Sequence, residues 1–323
     1  MIKIGLIGCG FMGSMHANCY KNIEGVTLAA VADIRNEKAK EIAGNAQIYA
    51  DGLNLIYQAD VDVIDICLPT FLHAEYAMAA MEKVRYVFVE KPVALTNAQA
   101  KMMLEKAAET GCNVQVGQVI RFWDEYVSLK KIIESGTYGN VINANFRRIS
   151  PRPDWGWKDW LLDATFSGGA AQDLHVHDID YVLSVFGKPE SFSSVKNIHS
   201  EQNSYINTIM RYKDFVVSVE GTWDLPESHP FEATFRVVFE RATVENAGGK
   251  FICYTTECAE EIKIEKKELA SSNSGGNISD LGGYYNELVY FTDRIKAGEP
   301  IEKATMQEAS KSLAFVLQEI ANA

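Results

Sequence analysis

Short apolar runs alternate with helix-period segments along the first 120 residues of this 323-residue chain. Ile4-Gly5-Leu6-Ile7 is an apolar run that stops at glycines, after which Met12, Met15, Cys19 and Ile23 recur at the spacing of one helix face. Leu28 to Ala32 reads as a second strand closed by Asp33, and Asn36 to Ala43 as a charged helix. Val61 to Leu68 is a third strand closed by Pro69, followed by a helix from about Phe71 to Lys83 and the strand Tyr86 to Val89. Thr96, with Gln99 three residues on, forms a capping box that opens a helix ending near Gly111. Asn113 to Val116 is another strand. Strand–helix–strand units repeated in this way predict a mostly parallel sheet with helices on both faces.

Past Gly117 the period changes. A helix from about Asp124 to Ser135 leads to the strand Val141 to Ile149, a loop holding Trp155, Trp157 and Trp160, and a helix from Gly169 to Phe186. Strand-like segments then follow one another at Tyr205–Arg211, Phe215–Glu220, Phe231–Phe239 and Phe251–Thr255. Residues 271–283 read as a polar loop, and two helices finish the chain. Two domains are predicted, at 1–120 and 121–323, the second of them α+β with a large open mixed or antiparallel sheet. That sheet has more strand than its few helices can cover, which predicts a homodimer or homotetramer joined through residues roughly 190–265.

Composition narrows the function classes. With 47% apolar and 23% charged residues the chain has the makeup of an ordinary packed protein, and no apolar run approaches the ~20 residues that span a bilayer. A net charge of −12 argues against a nucleic-acid partner, since it would repel a phosphate backbone. Met1-Ile2-Lys3-Ile4 runs straight into a strand pattern, so no signal peptide is expected. Six cysteines without CxxC spacing fit a reduced, cytoplasmic setting and give no disulfide or zinc framework.

Three groups of residues carry candidate chemistry. Gly8-Cys9-Gly10-Phe11-Met12-Gly13 is a G-x-G-x-x-G motif between a strand and a helix, and Asp33 lies 20 residues beyond Gly13. Such a turn brings backbone amides to a pyrophosphate at a helix N-terminus, while the carboxylate takes the adenosine ribose hydroxyls. Asp33 favours NAD because it would repel a 2′-phosphate; Arg35, two residues on, keeps NADP open. Glu90-Lys91-Pro92 ends a strand at the sheet edge where ligands sit, so Lys91 is either a hydroxyl-holding cation or an ordinary strand-end lysine. Asp173 and His177, four apart on a helix, share one face with Asp180; they suit an oriented general base, or equally a surface ion pair. His175 is turned away from both by helix geometry, so His175 and His177 could not chelate a metal together, and no metal is expected.

These pieces, in this order, resemble the glucose–fructose oxidoreductase / inositol dehydrogenase / MocA family. Besides the glycine motif they comprise Pro69-Thr70-x-x-His73, Glu90-Lys91-Pro92, Arg121-Phe122, Gly168-Gly169-x-x-x-Asp173-x-x-x-His177-Asp178-x-Asp180, and the tail Gly298-Glu299-Pro300-Ile301…Thr305…Glu308-Ala309. The resemblance implies an α/β fold with an N-terminal Rossmann dinucleotide-binding domain, and a second domain whose open sheet forms oligomer contacts. It implies a catalytic set that falls on Lys91, Asp173 and His177. Arg121 would border the substrate, and the Pro69–His73 turn and Glu90 would line the cofactor cleft. Family members usually carry glycine where this chain has His175.

The activity so implied is a dehydrogenase using NAD, with NADP open, on a hydroxyl carbon of a polyol, sugar or sugar derivative. An NAD-dependent glycosidase and a non-catalytic sugar- or cofactor-sensing regulator are the alternatives, and the complete Lys91/Asp173/His177 set weighs against the regulator. Trp155, Trp157 and Trp160 read either as an aromatic wall for a sugar ring, with Trp160 as the substrate contact, or as loop packing. Trp223 and Tyr284 read as core or interface residues, and His199 and His229 receive no role.

Overall fold

The computed structural model describes residues 1–197, 202–264 and 281–323. His199 and most of the 271–283 stretch lie outside them. The first part of the chain folds as β1 (Ile2–Ile7), α1 (Phe11–Lys21), β2 (Val26–Ala32), α2 (Asn36–Ala43), β3 (Gln47–Tyr49), α3 (Gly52–Gln58), β4 (Val63–Ile66), α4 (His73–Met81), β5 (Tyr86–Glu90), α5 (Asn97–Thr110) and β6 (Asn113–Gly117). Its strands form one parallel sheet in the order β3-β2-β1-β4-β5-β6. Ile4, Leu6, Ile64, Ile66, Val87 and Val89 are all fully buried, as strands covered on both faces require. The order reverses between β1 and β4, so the loops at their carboxyl ends flank a crevice of the kind that receives ligands. The capping box of α5 is present as expected, and Gly111 closes that helix in the left-handed region at φ 70°. Sequence periodicity did not disclose β3 or α3; α3 starts where Asp51 accepts a hydrogen bond from the Asn54 amide.

The second part holds α6 (Asp124–Ser135), β7 (Val141–Pro151), α7 (Ala164–Ser167), α8 (Val176–Phe186), β8 (Ser191–Lys196), β9 (Tyr205–Arg211), β10 (Val216–Leu225), β11 (Glu232–Phe239), β12 (Thr243–Ala247), β13 (Lys250–Tyr254) and β14 (Ala259–Glu261). Two helices, α9 (Gly282–Ala297) and α10 (Met306–Asn322), follow. The eight strands run in the order β14-β13-β12-β11-β7-β10-β9-β8. β7 and β10 pair in parallel and the rest antiparallel, so the sheet is mixed. One face, with Ala144, Phe146, Thr208, Met210, Val217, Val219 and Phe235, is buried; α6 and α8 pack here, the Tyr126 ring lying 4.8 Å from Tyr181 and 5.0 Å from Phe235. The other face carries Asn145, Arg147, Glu220, Val195 and Ile209, the last two more than half exposed.

Two compact units result: Met1–Val119 with 281–313, and 120–264 with Ala314–Ala323. The sequence predicts a continuous 121–323 domain, but in these units α9 groups with the first. Its buried face explains this, for Leu288 and Phe291 are fully buried and the Phe291 ring lies 5.4 Å from Phe88 of β5. The expected single helix from Gly169 to Phe186 is also divided. A π-helical turn, Ala171–His175, precedes α8, and Gly168 and Gly169 ahead of it both have positive φ. Among the described residues no helix is long and apolar enough to cross a membrane.

Candidate functional site

The glycine turn follows β1 directly. Gly8 has φ +91°, and a Cβ on Gly13 would run into the Gly8 carbonyl oxygen, so both positions need glycine. A Cβ on Gly10 would meet only Arg35 Nη2, at 3.6 Å, which leaves open space beside the loop. Gly10 is the N-cap of α1 and offers no side-chain cap, and the first turn, Phe11 and Met12 included, carries no acid. The positive end of this helix is thus left to an external anion, and the cradle fits a dinucleotide pyrophosphate.

Asp33 sits beside that turn, already engaged. Its Oδ2 accepts from the Cys9 amide at 2.8 Å and from Arg35 Nη2 at 3.1 Å, and its Oδ1 from the Arg35 amide at 2.8 Å and Nε at 3.1 Å. Burial pushes its pKa up, but the bonds from Arg35 and the Cys9 amide outweigh that and hold it below the usual carboxylate range. Asp33 is therefore a carboxylate neutralised by Arg35. Thr70, after β4, is buried, and its hydroxyl has no hydrogen-bond partner among the described residues. A buried hydroxyl of this kind is normally satisfied by ligand or water.

Two residues expected at the cofactor are also bonded within the fold. His73 is buried, with Nδ1 2.8 Å from the Pro92 carbonyl oxygen and Nε2 2.8 Å from that of Leu68, so both ring nitrogens are engaged. Burial lowers its pKa, partly offset by these carbonyls. Glu90 turns inward: Oε1 lies 3.0 Å from His16 Nε2, and Oε2 accepts the Lys91 amide at 3.0 Å. Gly117 makes room for it, since a Cβ there would come within 2.9 Å of the Glu90 carboxyl. Lys91 itself follows β5 directly and is joined to Pro92 by a cis peptide.

In the second unit, Asp173 lies on the π turn, partly exposed, and His177 on the first turn of α8, 9% exposed. Both aspartates that follow His177 are held by arginines. Arg121 reaches Asp180 through Nε at 2.5 Å and Nη2 at 2.8 Å; Arg148, from β7, reaches Asp178 at 2.8 and 3.2 Å. Tyr126 adds a hydroxyl bond to Asp178 at 3.2 Å. Arg121, expected at the substrate, directs its guanidinium to Asp180. His175 is fully buried beside Gly221, its Nε2 3.3 Å from Glu319 Oε1. Trp160 packs against a cluster of Leu161, Ala170, Leu174 and Trp223, which supports the loop-packing alternative, and Trp223 and Tyr284 are buried.

Sequence reasoning missed a buried polar cluster in the first unit. His16 Nδ1 lies 2.8 Å from Asp65 Oδ2, the Tyr20 hydroxyl donates to the same oxygen at 2.8 Å, and Cys67 Sγ is 3.3 Å from His16 Nδ1. The available signal was Asp65 itself, a charge inside an apolar strand, which must find a partner. His16, Asp65 and Cys67 offer ligand atoms all within 4.8 Å of one another. Two ligands on a tetrahedral zinc with bonds of 2.0–2.1 Å would stand about 3.3 Å apart. The 2.8 Å His16–Asp65 separation is a hydrogen bond instead.

Comparison with known proteins agrees with this architecture. Residues 2–118 match the oxidoreductase family with NAD-binding Rossmann fold, and residues 126–245 match the GFO/IDH/MocA C-terminal domain. The chain belongs to this family. Its first domain is the family's NAD-binding Rossmann domain. Myo-inositol 2-dehydrogenase of Thermotoga maritima is 30% identical over 192 residues, 58% of this chain and 55% of that protein. Inositol 2-dehydrogenase of Salmonella typhimurium is 31% identical over 214 residues, 64% of this chain and 61% of that protein. The matches thus span less than two thirds of these relatives. A levoglucosan dehydrogenase solved with NADH and levoglucosan shares the fold, with TM-score 0.84 at 20% identity, covering 99% of this chain and 97% of that one.

Proposed function

We propose that this protein is an NAD(P)-dependent dehydrogenase acting on a CH–OH group of a small polyol, sugar or sugar derivative. The observation that carries the proposal is the uncapped glycine turn between β1 and α1, with the Asp33 carboxylate at its side. The names of the two inositol dehydrogenase relatives support a polyol. NAD, when bound, supplies the nicotinamide that accepts hydrogen from the substrate carbon. Gly8, Gly10, Gly13 and the backbone of Phe11 and Met12 hold its pyrophosphate, and the Thr70 hydroxyl is assigned to the same cofactor.

Lys91 holds the reacting hydroxyl oxygen and counters negative charge as it develops there. His177 takes the hydroxyl proton, and Asp173 orients the imidazole. The protein works in the cytoplasm as a homodimer or homotetramer joined through the open face of its eight-stranded sheet, where Val195 and Ile209 are exposed. Light scattering that returns a monomer mass at micromolar concentration refutes the assembly. Incubation with a panel of polyols and sugars, with NAD and with NADP, tests the activity through absorbance at the nicotinamide band. Reduction with at least one cyclic polyol or sugar is expected; no reduction across the panel overturns the assignment.

A further inference from the structure

Lys91 is joined to the interior of the first unit by a continuous chain of buried groups. Its amide donates to Glu90 Oε2 at 3.0 Å, and Glu90 Oε1 stands 3.0 Å from His16 Nε2, an ion-pair contact rather than an aligned hydrogen bond. On the other side of the ring, His16 Nδ1 meets Asp65 Oδ2 at 2.8 Å, and Tyr20 donates to that same oxygen. The side chains of His16 and Asp65 are wholly buried and that of Glu90 is 6% exposed. A carboxylate on each side of a dry imidazole is satisfied by one species, the imidazolium with two N–H groups.

We propose that His16 is a positioning residue for the dehydrogenase reaction: pinned by Asp65, it holds the Glu90 carboxyl, which in turn fixes the backbone from which Lys91 reaches its substrate. The next residue is fixed as well, since the Pro92 carbonyl oxygen meets His73 Nδ1 at 2.8 Å. The Lys91–Pro92 segment is therefore held by two buried histidines, one acting through Glu90 and one directly. A displacement of about 1 Å at such a group is enough to slow a reaction about a hundredfold.

The groups facing His16 from every packed element agree with a charged ring. Burial pushes its pKa down, but the Asp65 carboxylate outweighs this and holds it well above its ordinary value. Burial raises the Cys67 thiol and the Tyr20 hydroxyl, keeping both neutral. Cys19 on the same helix is likewise pushed up to about 12, chiefly by burial. Glu287 of α9 is also raised, first by burial and then by Glu90, so a second negative charge beside the ring is disfavoured. The rings of Phe88 and Tyr284, at 5.3 and 6.5 Å, close off the imidazole.

The role of His16 rests on the dehydrogenase function proposed above, so its test has one arm independent of turnover. In the full-length chain labelled with 15N-histidine and 15N-lysine, His16 is expected to show two protonated ring nitrogens at pH 7 to 8, assigned by its loss in His16→Gln. The Lys91 amide resonance should move upfield in Glu90→Gln, as a neutral acceptor replaces a carboxylate. In turnover, Glu90→Gln is expected to lower kcat at least about tenfold with KM and NADH affinity within about threefold, the signature of a contact that matters at the transition state. His16→Gln, which keeps an N–H donor toward Glu90, should retain more activity than His16→Leu. If Glu90→Gln does not fold, the comparison of the two His16 variants decides. A neutral His16 with one N–H at pH 7, or an unmoved Lys91 amide, overturns the relay whatever the substrate. A wild-type chain that turns over no polyol or sugar removes the reaction assignment while the two resonances still decide the relay. Turnover within threefold of wild type in both Glu90→Gln and His16→Leu overturns the catalytic consequence alone.

Discussion

Glu287→Gln isolates the cost of a buried acid. Glu287 is fully buried on α9, and burial, then the nearby Glu90, raise its pKa well above the ordinary 4.5, against opposing effects from His16 and Gln115. In the unfolded chain the carboxyl loses its proton near pH 4.5, whereas the native protein keeps it to much higher pH. Between those two values the native state binds the extra proton, so its stability falls as pH rises, by about 1.4 kcal/mol per pH unit. The contribution is fully present below pH 4.5 and is lost on the way up to the folded pKa. Each pH unit inside that window costs about 1.4 kcal/mol, which is about 3–6 °C in Tm for a unit of this size. Glutamine keeps the shape and cannot titrate. His16, also raised, contributes a loss of the same sign above pH 6.5 in both chains and largely cancels in the difference. Urea or calorimetric unfolding of both proteins at pH 6, 7 and 8 should show the variant gaining on wild type at each step. Parallel curves over that range would refute the claim that Glu287 is protonated in the native state.

Three further outcomes are expected. Arg35→Ala releases the Asp33 carboxylate from its neutralising partner, so titration by nicotinamide fluorescence should show the preference for NADH over NADPH, at least about tenfold in wild type, growing further; a preference that shrinks shows that Arg35 does not serve to accept a 2′-phosphate. His177→Ala should lower kcat by about 10² to 10⁴ with cofactor affinity little changed, and Lys91→Ala should be at least as damaging, which steady-state kinetics with the substrate found in the panel will measure. Arg148→Met leaves Asp178 as a buried charge without its arginine and should cost about 3–5 kcal/mol in urea unfolding; a loss under 1 kcal/mol means that water reaches Asp178.

Most of what the sequence disclosed involves partners that lie close along the chain. The Thr96–Gln99 box is closed within three residues, the Gly8–Gly13 turn within five, and the strands β1, β4 and β5 announce themselves by apolar runs. The partners of residues that bond far along the chain were not legible, because spacing tells which groups are polar and not what they are bonded to. Glu90 and His73 look available for a ligand, yet Gly117 leaves a space that draws Glu90 inward, and two carbonyls occupy the His73 ring. Arg121 finds Asp180 across 59 residues, and Arg148 finds Asp178 across 30. The π turn at Ala171–His175 escaped for a related reason: a helix-period pattern does not change when one turn widens to i→i+5 bonding.

The placement of those arginines bears on His177. Replacing a buried ion pair by apolar groups often costs nothing, while leaving one partner alone is expensive, so two such pairs on one helix are poorly explained as stability devices. Asp178 and Asp180 both follow His177 just after the widened turn, and each is tied to a separate element, β7 in one case and the segment before α6 in the other. Rotation of α8 about its own axis would break both pairs at once and leave two buried carboxylates. The cost of that double break, several kcal/mol for each pair, holds the ring of His177 at one azimuth although the helix begins in a π turn.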